Sequence, residues 1–201
     1  RNLELFYSPN EGAKTLIDVL DDTKSAMGSR MLKRWLALPL KNKNQISERH
    51  NIVEQMLADT ELLVVLSDEI SKIGDLERLI SKVATLRINP RECSRLKEAL
   101  IALKPVKEIC STSGKSLKNL TDKINTCDPI KDRIERELSD NPPMLMHKGN
   151  VIKRGVNAEL DDLRSIQNSG KEYLDEMLER EIEKTGITSL KISFNNVFGY
   201  Y

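Results

Sequence analysis

The stretch from Asn157 to Gly186 constrains the fold of this chain more than any other. Its apolar residues recur at steps of three and four, the period of an amphipathic α-helix, and Asn157 and Gly186 are typical helix-capping residues. Residues 157–184 would extend about 42 Å as a helix, which exceeds the thickness of a small domain. We therefore predict one long helix that packs against a second along its length, as in a two-helix arm. Its apolar stripe comprises Leu160, Leu163, Ile166, Gly170, Tyr173, Leu174, Met177, Leu178 and Ile182.

The composition favours helices in the rest of the chain as well. Only 4% of the 201 residues are aromatic, while Leu, Ile, Lys and Glu are abundant. Such a mixture is typical of helical proteins rather than of β-sandwiches or barrels. We predict a mainly α fold: a multi-helix bundle with a long protruding helix and a short β segment at its tip.

Capping residues and prolines divide residues 1–150 into further helices. We predict a helix that Thr23 or Ser25 caps and Pro39 ends, a second helix that Asn44 caps, and a third that begins at Asp75. A fourth helix begins at Asn89-Pro90-Arg91-Glu92 and ends before Pro105, and a fifth runs from Asp128-Pro129 to about Leu138. Residues 150–153 look like a short strand. The aromatic-rich run 190–201 reads as a strand bent near Asn195-Asn196, with its neighbours expected beyond Tyr201. Because the chain starts at Arg1 and stops inside that run, we expect a longer polypeptide, here called the parent.

No catalytic or metal-binding constellation is evident. Gly114-Lys115-Ser116 resembles the end of a phosphate loop, but position 109 is Ile where an earlier glycine is needed, and a predicted helix precedes it. The histidines, His50 and His147, are not at metal-ligand spacing. The three cysteines form no C-x-x-C pair, which favours a reducing cytosol over a disulfide scaffold. We expect no enzyme activity from this chain and no metal site.

Several blocks resemble the MutS family of DNA mismatch repair proteins, in family order and over nearly the whole chain. They are residues 2–5, 21–36 with Pro39-Leu40, 74–79, Asn89-Pro90-Arg91, 159–164, 181–187 and 189–201. Residues 105–148 carry no such motif.

The resemblance implies a location within the parent. Residues 1–172 would be the helical core, or lever, domain that joins the DNA-binding end to the ATPase end. Residues 173–201 would be the N-terminal half of the clamp domain, which closes over duplex DNA. ATP and Mg²⁺ would be bound by the parent outside this chain, and a mismatch-reading Phe-x-Glu motif would lie upstream. The parent would be a dimer that works with downstream repair proteins in the cytoplasm, at the nucleoid in a bacterium, without membrane contact.

The charge distribution restricts where such a chain can contact DNA. Residues 157–201 carry five basic and nine acidic residues, a balance of −4, which leaves +5 for residues 1–156. The acidic residues of the long helix look like a solvated face, and they repel phosphate. Lys191 is the only Lys or Arg in 187–201, so Lys191, Asn195 and Asn196 are the candidate donors to the DNA backbone. Polar residues on an exposed strand face are an equally good interpretation.

Gly170 interrupts the long helix with a residue of low helix propensity. Two interpretations stay open: a close helix crossing, or a hinge.

Three functions follow from these patterns. The first is a non-catalytic lever with a partial clamp, which binds duplex DNA weakly and without sequence preference. The second is a helical scaffold for protein contacts in a MutS-like protein that is not engaged in mismatch repair. The third is a hidden enzyme, and we expect a nucleotide hydrolysis assay to find this chain inert.

Overall fold

A computed structural model describes residues 4–195, 197 and 199–201, with Lys171 described by its backbone alone. Four residues of the blocks that resemble the MutS family lie outside the described residues: Asn2, Leu3, Asn196 and Phe198. The chain divides into two units, Arg1–Ile152 and Lys153–Tyr201. This division does not coincide with the predicted lever–clamp boundary at 172/173, which stays a prediction.

The first unit is helical, as predicted. Its α-helices are α1 Leu16–Leu20, α2 Ala26–Ala37, α3 Lys43–Ala58, α4 Thr60–Ile73, α5 Leu76–Ala84, α6 Pro90–Thr112, α7 Lys115–Thr121 and α8 Asp128–Glu137, followed by a 3₁₀ turn at Met146–Lys148. The strand predicted at 150–153 is wrong in extent: the described residues there form a single antiparallel bridge between Ile152 and Leu138.

Local capping chemistry places most of the helix starts. Ser25 accepts a hydrogen bond from the Gly28 N–H at 3.1 Å, and Asn89 and Glu92 form a reciprocal capping box. The predicted cap at Asn44 is wrong by two residues, because Asn42 accepts from the N–H groups of Asn44 and Gln45 and α3 begins at Lys43. At α8, Cys127 occupies the cap position and Asp128 is the first helical residue.

Helix α6 is the centre of the first unit, and it packs against α4, α5, α7 and α8. The buried cluster joins α4, α6 and α7, and it consists of Leu66, Ile73, Ala99, Ala102, Val106, Cys110 and Leu117. The prediction that α6 stops before Pro105 is wrong: the helix continues to Thr112. An internal proline costs about 3 kcal/mol. The burial of Val106 and Cys110 beyond it offsets that cost because these side chains reach the core only if the helix continues.

The second unit contains one long helix and one small hairpin. Helix α9, Ala158–Thr185, is an unbroken 28-residue helix, as predicted. Strands β1 Phe194–Asn195 and β2 Gly199–Tyr200 pair antiparallel, with Phe194 opposite Tyr200. The strand at the end of the chain therefore finds its neighbour within the same run, which corrects the expectation that its neighbours lie beyond Tyr201. Within the described ranges, no helix combines the length and apolarity required to span a membrane.

Candidate functional site

Capping at both ends defines the length of α9. The Asn157 side chain accepts from the Leu160 N–H at 2.9 Å, and the Gly186 N–H donates to the Ile182 carbonyl at 2.8 Å with φ +72° at Gly186. Asp161 accepts from the Gly155 N–H at 2.6 Å and pairs with Arg164 at 3.0 Å. These contacts, with the Gly155 N–H foremost, lower the pKa of Asp161 and keep a negative charge at the positive end of the helix dipole.

The apolar stripe of α9 is uneven in its exposure. Leu163, Ile166 and Tyr173 are 59%, 68% and 58% exposed, whereas Leu174, Leu178 and Ile182 are half-buried. Exposed apolar residues spaced three and seven apart on one helix are typical of a two-helix seam whose second helix is supplied from elsewhere. The two-helix arm itself stays a prediction.

Gly170 lies near the middle of α9. No heavy atom of the described chain lies within 4 Å of the position that a Cβ would take at Gly170, outside the local helix backbone. A close crossing at this point would therefore need a helix from outside the described residues. Both interpretations of Gly170, the crossing and the hinge, stay predictions.

The predicted DNA contacts belong to the segment 187–201 that follows α9 and contains the β1–β2 hairpin. The rings of Phe194 and Tyr200 meet edge to face with their centroids 5.1 Å apart. Lys191 and Asn195 are exposed. The Asn195 side-chain oxygen accepts from the Val197 N–H at 2.7 Å, so its amide nitrogen is the group suited to donate to a ligand. Asn196, the third predicted contact, lies outside the described residues.

The acidic face of α9 ends before this hairpin. Lys184 pairs with Glu181 at 3.0 Å, and Glu183 is the last acidic residue of the chain. Lys191 follows eight residues later, beyond the cap at Gly186. A phosphate that approaches Lys191 therefore meets less repulsion than one that approaches the middle of the helix.

The structure also joins two of the sequence blocks, residues 21–36 and 74–79. Arg30 on α2 donates to both carboxylate oxygens of Asp75, at 2.6 and 3.1 Å, and to Glu77 at 2.8 Å. Asp75 also caps α5 by accepting from the Arg78 N–H at 3.2 Å. The Arg30 guanidinium is the main cause of the lowered pKa of Asp75. Opposite charges in both blocks were the only sequence signal of this contact, and such charges are too common to identify a pair.

The residues around Gly114 do not form a phosphate loop. Helix α6 precedes Gly114, where a phosphate loop follows a strand, and the Gln55 side chain lies directly against Gly114. The prediction that a helix precedes this segment is confirmed. Among the described residues, no group of three His, Cys, Asp or Glu side chains is arranged to hold a metal ion.

Comparison with known proteins shows the family. The model of MutS domain III matches residues 1–193. The chain is 52% identical to the DNA mismatch repair protein MutS of Parabacteroides distasonis, 50% to that of Christiangramia forsetii and 52% to that of Flavobacterium psychrophilum. Each alignment covers 100% of this chain and 23% of the relative, so the chain spans about a quarter of the length of these relatives. The chain belongs to the MutS family, and residues 1–193 correspond to domain III of its members.

Proposed function

We propose that this chain is a non-catalytic lever with the first half of a clamp, within a MutS-type DNA mismatch repair ATPase. The observation that carries the proposal is the unbroken α9, which leads through Gly186 to the β1–β2 hairpin. The relatives are named DNA mismatch repair proteins, and these names support the same function. In this proposal, ATP and Mg²⁺ are bound by the parent outside this chain.

A long helix suits a lever because its backbone hydrogen bonds resist bending. The 28 residues of α9 span about 42 Å. A displacement applied at one end is therefore carried to the other without being absorbed by intervening loops. The helix passes through the proposed boundary at 172/173 without a break, so movement of the lever is passed directly to the clamp.

We propose that DNA contacts the segment that runs from Lys191 into the hairpin. Lys191 supplies a positive charge and Asn195 an amide donor, both exposed, while the acidic face of α9 disfavours phosphate along the helix. One cation releases about one counterion from duplex DNA, so binding is weak, is independent of sequence and has a salt slope of about −1.

The test is fluorescence anisotropy of a labelled duplex, titrated with the chain at several salt concentrations. Lys191→Ala should bring the slope of log K against log salt close to zero. Lys184→Ala is the matched control, because Lys184 is engaged by Glu181 on α9 and should leave the slope unchanged. Submicromolar affinity at physiological salt that survives Lys191→Ala and depends on cations in residues 1–156 would contradict this proposal.

The second candidate is a helical scaffold in a MutS-like protein without a repair function. The exposed apolar residues of α9 suit a protein contact in either case, so they do not separate the two candidates. The names of the relatives favour mismatch repair. A Phe-x-Glu motif in the sequence upstream of Arg1 would support repair, and its absence there would favour the scaffold.

We further propose that the parent is a dimer, as its resemblance to the MutS family implies. We also propose that it acts in the cytoplasm, since its relatives are bacterial proteins. Sedimentation of the parent would test the dimer. Nucleotide hydrolysis by this chain alone would refute its non-catalytic assignment.

A further inference from the structure

A charged groove in the first unit has no role in the function proposed above. It begins as a cavity of about 500 Å³ between α5 and α6, and a second cavity of about 290 Å³ adjoins it beside residues 140–142. The two cavities share Arg95 and Glu98. Three arginines line the combined surface, Arg78, Arg91 and Arg95, and we call it the arginine groove.

Most of the other charges along the groove are already paired. Arg30 holds Asp75, and Lys82 pairs with Glu92. Lys72 pairs with Glu69 at 2.6 Å. The two opposite charges within each pair neutralise each other, so these pairs contribute little to the net charge that a ligand in the groove would meet.

The three arginines are different. Arg91 and Arg95 are four residues apart on α6 and therefore share one face, and Arg78 faces the larger cavity from α5. All three side chains are exposed. In the part of the chain that the structure describes, none of the three forms an ion pair within 4.0 Å. Arg78 is attracted to Asp75 and Glu92 at longer range. Glu98 lines both cavities and Asp140 lines the smaller one, so the three arginines exceed these two carboxylates by one positive charge.

We infer that the arginine groove docks an acidic protein segment, supplied by the part of the parent outside this chain. The guanidinium fork matches a carboxylate with two parallel hydrogen bonds. The larger cavity also has an apolar wall, formed by Ile73 and Leu79, which suits the aliphatic part of a protein segment. The relatives are about four times as long as this chain, which leaves ample sequence to supply the segment.

The shape and charge of the groove favour protein over DNA. A duplex is convex and presents a continuous row of phosphates. Glu98 lies where the two cavities meet, so it would face one of those phosphates inside a concave surface. A protein segment avoids this repulsion because it can place a neutral or basic residue opposite Glu98 and carboxylates opposite the arginines.

The test uses the full chain and NMR of its arginine Nε–Hε groups. The probe is a capped peptide of about seven residues, with a central lysine flanked by glutamates, and the control peptide has glutamine in place of glutamate. The glutamate peptide should shift the signals of Arg78, Arg91 and Arg95, and the glutamine peptide should not. The double substitution Arg91→Glu and Arg95→Glu should weaken binding by at least about fivefold, since each exposed pair contributes modestly.

Arg34→Glu on α2 is the matched control, because it makes the same charge reversal at an exposed arginine that does not line either cavity. Equal weakening by Arg34→Glu, or no shift with the glutamate peptide, would overturn the inference. Tighter binding of inorganic phosphate or duplex DNA than of the peptide at the same arginines would also overturn it, in favour of a phosphate site. Circular dichroism of each variant checks that the fold is retained, and the glutamine substitutions at Arg91 and Arg95 repeat the test without charge reversal.

Discussion

Replacing Gly170 by alanine should stiffen the middle of α9. Glycine in a helix interior is about 1 kcal/mol less favourable than alanine. The added Cβ would lie in open space, since no atom of the described chain outside the local helix backbone lies within 4 Å of its position. No steric clash therefore reduces the gain in helix propensity from glycine to alanine, and we expect α9 to be stabilised locally by about 0.5 to 1 kcal/mol. This corresponds to a two- to fivefold increase, at about 1.4 kcal/mol per factor of ten, in protection against local opening.

Amide hydrogen exchange, measured by NMR across residues 166–178, would detect this change. Asn168→Ala is the matched control, because it is exposed, lies on the same helix and also replaces a weak helix former by alanine. Both variants should slow exchange. Faster exchange in Gly170→Ala, with the expected slowing in Asn168→Ala, would refute the reasoning. Such a result would show that this chain needs glycine at position 170 for a reason other than helix propensity. In the parent, a hinge at Gly170 predicts that the same substitution weakens the coupling between nucleotide state and DNA clamping.

Three further predictions concern the first unit. Leu66→Ala should destabilise the chain by about 2 to 5 kcal/mol in urea unfolding, since Leu66 on α4 is 3% exposed and belongs to the core shared with α6. A loss below about 1 kcal/mol would contradict its place in the core. Gly114→Ala should cost at least about 1 kcal/mol, because φ is +127° and the new Cβ would collide with Gln55, and adding Gln55→Ala should recover only the part due to that collision. Arg30 and Lys82 are the main causes that hold the pKa values of Asp75 and Glu92 below their ordinary values of 3.8 and 4.5. The two carboxylates therefore stabilise the fold above pH 4.5, and this stabilisation is lost as pH falls through the lowered pKa values. The free energy of unfolding of the double variant Asp75→Asn with Glu92→Gln should depend less on pH in that acidic range, and an unchanged pH dependence would disprove the assignment.

Helix boundaries were predictable where the stabilising contact is local. The caps at Ser25, Asn89, Asn157 and Gly186 act within three or four residues, so the sequence pattern contains nearly all of the relevant physics. The error at Asn44 has the same origin, because Asn42 and Asn44 are equally suited to cap and the backbone conformation selects one.

Pro105 shows where local reasoning fails. The cost of a proline inside a helix was visible in the sequence, but the burial of Val106 and Cys110 that offsets it was not. The terminal hairpin shows the same limit, since a run of strand-forming residues does not reveal whether it pairs with itself or with another segment.

The features of the candidate site also divide into those that local sequence determines and those that depend on tertiary contacts. The order of residues alone determined that Lys191 follows the last acidic residue, that α9 is long and capped, and that the blocks resemble MutS, because each depends on composition or short-range spacing. Only tertiary structure decided that Arg30 reaches Asp75, and that α5 and α6 enclose a groove with Arg78 and Arg95 on its walls. Those contacts depend on which helix faces pack together, and this choice is made by the burial of side chains from many distant positions at once, which no local pattern encodes.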